Sequence, residues 1–132
     1  SLEKDLKKKA KDLGVVELVD FEGFKQNIIL HYLHAKVTIL TSLYEGFPNT
    51  LVESITLGTP VVSFDCPSGP NEIIKQGING YLVKFMNIED LKDKLFKAVS
   101  QKFNAEEVSL TAKKYHQKKI IEEYEKLINN FI

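Results

Sequence analysis

Short apolar runs alternate along the chain with stretches in which apolar residues recur at helical spacing. The apolar runs predict strands at residues 15–21, 36–41, 60–64 and 80–84. The helical spacing predicts helices at residues 2–13, 26–35, 49–57, 70–76, 88–99 and 105–130, the last being one long helix or two with a break near Ser109. Strands that alternate with helices favour a parallel sheet with helices on both faces.

The ends of the predicted strands indicate where a ligand would bind. In a parallel α/β sheet, ligands bind outside the carboxyl ends of the strands. We therefore expect the loops after Leu40, Phe64 and Val83 to lie near one another at one edge of the sheet. The segment SLYEGFPNTLVES, at residues 42–54, follows the first of these strands and leads into a helix.

The start of that helix predicts an anion-binding site. If Pro48 is the first helical residue, the free amides belong to Asn49, Thr50 and Leu51. If Asn49 is the N-cap, they belong to Thr50, Leu51 and Val52. Thr50 and Leu51 offer amides in both versions. These amides and the helix dipole would hold a phosphate without an extra cation.

Two glutamates flank the loop before this helix. Glu53 lies about one turn inside the helix among mostly apolar neighbours, so its carboxylate needs partners. Those partners are either the hydroxyls of a bound ribose or the amides at the start of its own helix, unless Glu53 is simply exposed. Glu45, at the end of the strand, either faces the same edge of the sheet or is a solvated loop residue. Gly46 has no Cβ, so the backbone there can approach a ligand closely.

Several motifs occur in an order that is typical of one enzyme family. They are EGF at 45–47 followed by Glu53, GTPVV at 58–62, EI at 72–73 and NGYLV at 79–83. This pattern, over roughly residues 36–84, resembles the carboxy-terminal half of retaining, nucleotide-sugar-dependent glycosyltransferases of the GT-B fold, family 4. The resemblance implies a Rossmann-like parallel sheet with helices on both faces. It also implies that the chain lacks the first strand of this domain.

The resemblance assigns the sugar end of the site to the loop after the second predicted strand. It implies that Glu45 is the catalytic residue and lies against the transferred sugar. Gly46, Phe47 and Pro48 are expected to contact the same sugar. The PSGP segment at 67–70 is similar to that of enzymes that build bacterial surface glycans, and it is either a further donor contact or a rigid turn.

The nucleotide is assigned to neighbouring residues. Phosphate contacts are expected from three residues at the start of the helix, namely Asn49, Thr50 and Leu51. By the same resemblance Glu53 would bind the ribose hydroxyls, and Gly23 and Phe24 would approach the base. Most relatives use uridine diphosphate sugars, so we expect uridine.

The resemblance also implies a reaction and its partners. The reaction is transfer of a hexose from a nucleoside diphosphate sugar to an acceptor hydroxyl with retention, in the synthesis of lipopolysaccharide, capsule or glycoprotein. We expect residues 1–132 to be a single nucleotide-sugar-binding domain, a fragment of a two-domain enzyme that is inactive alone. A glycan or lipid-linked acceptor would bind through the missing amino-terminal domain. The chain contains no Asp-x-Asp motif, so neither a metal nor another cofactor is expected.

Composition narrows the classes of partner. The 18 basic and 18 acidic residues give a net charge of zero, which argues against a nucleic-acid-binding protein. The single cysteine, Cys66, excludes a disulfide within the chain and fits a reducing, cytoplasmic location. No apolar run approaches the roughly 18 residues that span a bilayer, so membrane contact of the full-length enzyme, at the inner face, would be peripheral.

Two other functions also fit parts of the pattern. The first is a non-catalytic, degenerate module that scaffolds a partner enzyme or binds a glycan. The retention of both Glu45 and Glu53 disfavours degeneration, whereas the missing strand favours it. The second is a sugar-nucleotide epimerase of similar architecture, which would rely on a different set of acidic and histidine residues.

Overall fold

The structure is a computed structural model that describes residues 2–129. Within these residues the helices are α1 Leu2–Asp12, α2 Ile29–His34, α3 Asn49–Thr56, α4 Pro70–Ile73, α5 Ile88–Ser100, α6 Ala105–Leu110 and α7 Gln117–Asn129. The strands are β1 Thr38–Leu40, β2 Val61–Phe64 and β3 Gly80–Val83. Short 3-10 turns lie at Val16–Leu18 and Lys113–Tyr115. The final residue of the predicted helix 105–130 lies outside the described residues.

The three strands form one parallel sheet in the order β1-β2-β3. Thr38 pairs with Val61, and Val61 pairs with Gly80, so β2 is the central strand. All four residues of β2 are buried, as expected for a strand that is covered on both faces. The predicted parallel α/β architecture is confirmed.

Each face of the sheet packs against its own group of helices, because successive strand side chains point to opposite faces. On one face, Val61 belongs to an apolar cluster built with residues of α3, α4 and α6 and of the adjoining loops: Leu51, Ile55, Ile73, Ile74, Val108 and Ala112. On the other face, Val62 belongs to a cluster completed by α5: Phe64, Tyr81, Val83 and Ala98. The α3 helix therefore has one side fixed against the sheet.

The predicted strand at residues 15–21 is wrong. The segment contains the 3-10 turn Val16–Leu18, followed by irregular chain, and the Leu18 side chain is 83% exposed. A strand needs a neighbour to pair its backbone groups, and in the described part of the chain β1 pairs only with β2. Apolar, β-branched sequence alone therefore does not produce a strand here.

The carboxy-terminal helical region is divided into two helices, with the break next to Ser109 as one of the two predicted alternatives had it. The α6 helix ends at Leu110, and the 3-10 turn at Lys113–Tyr115 separates it from α7. Ser109, one residue before the end of α6, donates a hydrogen bond to the Thr56 carbonyl at the end of α3 (2.8 Å). This contact ties α6 to the helix that carries the candidate site.

The buried Asn79 side chain joins the turn before β3 to the end of α6. Its Oδ1 accepts from the Lys75 amide (2.7 Å), and its Nδ2 donates to the Ile73 carbonyl (3.0 Å) and to Thr111 Oγ1 (2.8 Å). Buried polar groups are costly when they lose their partners. The asparagine of the NGYLV motif thus stabilises the fold.

We predict that Asn79→Ala lowers the free energy of unfolding by about 2–3 kcal/mol, because it removes these bonds and leaves the Lys75 amide unpaired in a partly buried site. Urea unfolding measures the loss. Asn71→Ala, at an exposed asparagine of α4, is the matched control and is expected to change the free energy by less than about 0.5 kcal/mol. Equal stabilities of the two variants would contradict the prediction.

Candidate functional site

The loop after β1 packs directly on the loop after β2. Pro48 is buried, and a Cβ added to Gly69 would overlap its ring. Gly69 also has φ +99°, a conformation that favours glycine. The PSGP segment therefore supports the loop that carries Glu45, as the predicted rigid turn would. The alternative, a contact with the donor, stays a prediction. Pro48 holds this loop in place, and its expected contact with the donor sugar stays a prediction.

Glu45 is half-buried beside the residues that follow β2. Burial raises the pKa of the Cys66 thiol, and the nearby negative charge of the Glu45 carboxylate acts in the same direction. Phe85, which follows β3, packs edge-on against Phe64 at the end of β2, with ring centroids 6.3 Å apart. The loops after the three strands therefore lie side by side, as predicted, and Cys66 is held as a neutral thiol.

The helix start differs from both predicted versions. Pro48 is the N-cap and Asn49 is the first helical residue. The Asn49 amide donates to the Phe47 carbonyl, and the Leu51 amide donates to the Pro48 carbonyl, each at 3.0 Å. The Thr50 amide donates to no acceptor in the described part of the chain. Of the three amides expected to bind phosphate, that of Thr50 is the most available.

Gly46 has open space beside it, whereas the Phe47 side chain packs against another aromatic ring. A Cβ at Gly46 would meet no atom within 4 Å, so packing does not demand a glycine there. Phe47 packs edge-to-face on Tyr115, with ring centroids 5.5 Å apart. The Tyr115 hydroxyl in turn donates to the Glu72 carbonyl (3.0 Å). Phe47 thus fixes the loop next to an open backbone position, where a ligand can approach closely.

Glu53 has a partner that the sequence did not suggest. Its Oε2 accepts a hydrogen bond from the Tyr32 hydroxyl of α2 (3.1 Å), although the glutamate itself is exposed. The Tyr32 side chain is only 6% exposed. Tyr32 was hidden in the sequence because it occurs within the apolar pattern of a helix. Only the packing of α2 against α3 brings the two residues together.

A groove of about 770 Å³ opens between α3 and the segment before α2. It is lined by Phe24, Lys25, Gln26, Asn27, Ile28, Ile29, Tyr32, Val52, Glu53, Thr56 and Leu57. The groove joins Phe24, expected near the base, to Glu53, expected at the ribose. Phe24 is 94% exposed, which leaves its ring free to stack, and Gly23 directly precedes it.

The start of α3, where phosphate is expected, lies one helical turn from Glu53, where the ribose is expected. Thr50 and Glu53 are three residues apart and therefore lie on the same side of the helix. Glu45 and Gly46 precede the helix and do not line the groove. The structure thus places the expected base and ribose residues together and the expected sugar residues beyond the start of α3, with Thr50 between them.

Residues 2–129 contain neither a cluster of potential metal ligands nor a helix that could cross a membrane. Histidine, cysteine, aspartate and glutamate form no group of three or more that would hold a metal in this part of the chain. His31 lies 3.9 Å from Glu22. Within the same residues, the helices are too short or too polar to cross a bilayer. The expectation that catalysis needs no metal stays a prediction.

The sequence profile of the family described as "Glycosyl transferases group 1" matches residues 1–126. The chain belongs to this family. It is 35% identical over 95 residues to a lipopolysaccharide 1,6-galactosyltransferase of Salmonella typhimurium, a match covering 69% of this chain and 26% of that protein. It is 30% identical over 132 residues to a poly(glycerol-phosphate) alpha-glucosyltransferase of Bacillus subtilis. This match covers 96% of this chain and 20% of that protein. The chain thus spans about a quarter or less of these relatives.

Solved structures agree with this assignment. The apo lipopolysaccharide outer core galactosyltransferase WaaB superposes with a TM-score of 0.89 at 26% identity, over 98% of this chain and 38% of WaaB. A TarM mutant of S. aureus in complex with fondaparinux, alpha-GlcNAc-glycerol and UDP superposes with a TM-score of 0.74 at 28% identity. The superposition covers 99% of this chain and 26% of the TarM chain. The fold is that of the C-terminal Rossmann-like domain of GT-B glycosyltransferases, as the motifs predicted.

The environment of Tyr32 predicts a pH dependence of stability. Burial, reinforced by the hydrogen bond to Glu53, raises the pKa of Tyr32 to about 12, although the Thr50 side chain acts in the opposite direction. An unfolded chain releases this proton at a pH of about 10. Between about pH 10 and 12 the unfolded state therefore binds fewer protons than the folded state, so stability falls as pH rises.

We predict that this fall is less steep in Tyr32→Phe, which has no hydroxyl to ionise. Urea unfolding of both proteins at several pH values from about 9 to 11 tests this. The stability difference between wild type and variant is expected to shrink as pH increases. Parallel pH profiles would show that Tyr32 ionises equally in the two states, and the prediction would fail.

Proposed function

We propose that the chain is the donor-binding domain of a retaining hexosyltransferase that uses a nucleoside diphosphate sugar, with uridine as the expected base. The observation that carries this proposal is the groove that joins Phe24 to Glu53. Thr50 lies one turn before Glu53 on the same side of α3, and its amide donates to no acceptor in the described part of the chain. These three residues match a base, a ribose and a diphosphate in the order in which a nucleotide presents them. The TarM complex with UDP supports the choice of uridine.

The chemistry of the groove suits each part of the nucleotide. The exposed Phe24 ring offers a surface on which a base can stack. The Glu53 carboxylate accepts hydrogen bonds from ribose hydroxyls, since Tyr32 occupies only one of its oxygens. The Thr50 amide and the positive end of the α3 dipole face the diphosphate.

Departure of the diphosphate is the step that these groups accelerate. Negative charge grows on the leaving phosphate as its bond to the sugar breaks, and fixed amides at a helix start stabilise it without reorganising. No metal or cofactor is part of the proposal. Positive charge develops on the sugar ring at the same time. Glu45, across the start of α3, is the carboxylate that we assign to that charge.

The wider role rests on the named relatives and on the length of the chain. The two curated relatives act on lipopolysaccharide and on poly(glycerol-phosphate), according to their names. We propose a bacterial surface glycan as the product, and a glycan or lipid-linked acceptor that is bound by a further domain. The reaction would take place in the cytoplasm, at the inner face of the membrane, and residues 1–132 alone would be inactive.

The catalytic assignment is tested with Glu45→Gln in the full-length enzyme. We expect hexose transfer to fall by about 100-fold or more, because the charge that stabilises the transition state is lost while the shape of the side chain is kept. Transfer of radiolabelled hexose from UDP-glucose, UDP-galactose or UDP-N-acetylglucosamine to membrane acceptors measures the loss. Glu106→Gln, at an exposed glutamate of α6, is the matched control and is expected to retain activity.

Two outcomes would contradict the proposal. Wild-type transfer by Glu45→Gln would remove Glu45 from the reaction. A wild-type enzyme that binds the nucleotide but transfers no hexose would favour the non-catalytic module instead. Unchanged melting temperatures in both variants would show that the activities report chemistry rather than unfolding.

A further inference from the structure

Tyr32 is fixed at both of its ends. Its carbonyl accepts from the Thr59 hydroxyl (2.7 Å), and its own hydroxyl donates to Glu53 Oε2 (3.1 Å). Ser54, next to Glu53 on α3, is hydrogen-bonded to the Thr59 carbonyl (3.0 Å) and to Thr38 Oγ1 (2.8 Å). These hydrogen bonds tie Tyr32 to Thr59, tie Thr59 to Ser54 of α3, and tie Tyr32 to the Glu53 carboxylate.

The hydrogen bond from Tyr32 restricts the rotamers of the exposed Glu53 side chain. Glutamate has several rotatable bonds, and an exposed carboxylate loses rotamer entropy when it binds a ligand. The Tyr32 hydroxyl holds one carboxylate oxygen before any ligand arrives, because the tyrosine is itself buried. Only the other oxygen and the remaining lone pairs are left to face the groove. Such preorganisation strengthens binding by lowering its entropic cost.

We propose that Tyr32 is a positioning residue of the donor site, whose hydroxyl orients Glu53 toward the ribose and thereby sets the preference for ribose over deoxyribose. The inference rests on the proposed nucleotide site and assigns a role to a residue that the sequence motifs did not include. Tyr32 acts through Glu53, whereas Glu53 itself makes the contact with the ribose.

The test compares nucleotide binding by wild type and Tyr32→Phe. The probes are UDP, GDP and ADP, followed by the 2′-deoxy and 3′-deoxy forms of whichever binds best, with dissociation constants from chemical-shift titration. We expect the wild type to prefer the ribonucleotide by about tenfold, the value of one hydrogen bond to a charged group. In Tyr32→Phe this ratio is expected to fall to about threefold or less.

Tyr81→Phe is the matched control. Tyr81 is buried to a similar extent, 4% exposed, and its hydroxyl donates to Gln101 on the side of the sheet that α5 covers. This variant is expected to keep the wild-type ratio. Because each change removes only one buried tyrosine hydroxyl, a difference between the two variants reports on the contact with Glu53.

A second arm separates positioning from direct contact. In a Glu53→Ala background, Tyr32→Phe is expected to change the ratio no further, because its effect passes through the carboxylate. An additional loss in that background would mean that Tyr32 binds the ribose itself and would overturn the positioning role. A wild-type ratio in Tyr32→Phe alone would overturn the inference and leave the nucleotide site intact.

Failure of the proposed nucleotide site gives a different result from failure of the role of Tyr32. If the wild type binds none of the three nucleoside diphosphates at millimolar concentration, both the donor site and the role of Tyr32 are rejected. If the wild type binds a nucleotide but does not distinguish its deoxy forms, the ribose contact of Glu53 is rejected and the inference with it. Each result therefore identifies which statement is wrong.

Discussion

Burial of one side of α3 against the sheet is the interaction on which the candidate site depends. Leu51 and Ile55 are fully buried with Val61, and each contributes about 1.5–3 kcal/mol by leaving water. Ser54, on the same helix, is hydrogen-bonded to Thr38 of β1 and fixes the rotation of the helix. With that side buried, the start of α3 lies beside the ends of the strands, and Glu53 remains exposed beside the groove.

The two motif glutamates have different surroundings, which suit different roles. Glu45 is half-buried next to a neutral thiol and precedes the helix, whereas Glu53 is exposed and held by a tyrosine hydroxyl. A carboxylate held in one orientation is suited to recognising fixed hydroxyls. A half-buried carboxylate is screened less by water than an exposed one, so it interacts more strongly with a charge that appears during a reaction. This contrast favours binding for Glu53 and catalysis for Glu45.

Much of the fold could be predicted from the sequence, because local patterns determine it. Alternating apolar runs predicted the sheet, and the loops after Leu40, Phe64 and Val83 proved to be neighbours. The segment 15–21 was misjudged because a strand depends on a partner strand, which the pattern of one segment does not reveal. Phe24 and Glu53, which the resemblance assigned to the base and the ribose of one nucleotide, line the same groove, and their binding roles stay predictions.

Other parts of the site depend on packing between distant segments. The predicted helix start at residue 49 is right, but both predicted capping versions placed the N-cap one residue away from Pro48, whose ring packs against Gly69 from a different loop. Tyr32 was missed because its partner Glu53 is 21 residues away and belongs to another helix. In both cases the local sequence is compatible with several geometries, and a tertiary contact selects one of them.

Binding of a nucleoside diphosphate in the groove beside α3 is the property from which the proposed reaction follows. Amide chemical-shift mapping of the protein with UDP, GDP and ADP measures it. We expect saturable shifts with one nucleotide that concentrate at Phe24, Thr50 and Glu53 and decrease toward α5. Saturable shifts located elsewhere, or no shifts at millimolar nucleotide, would contradict it.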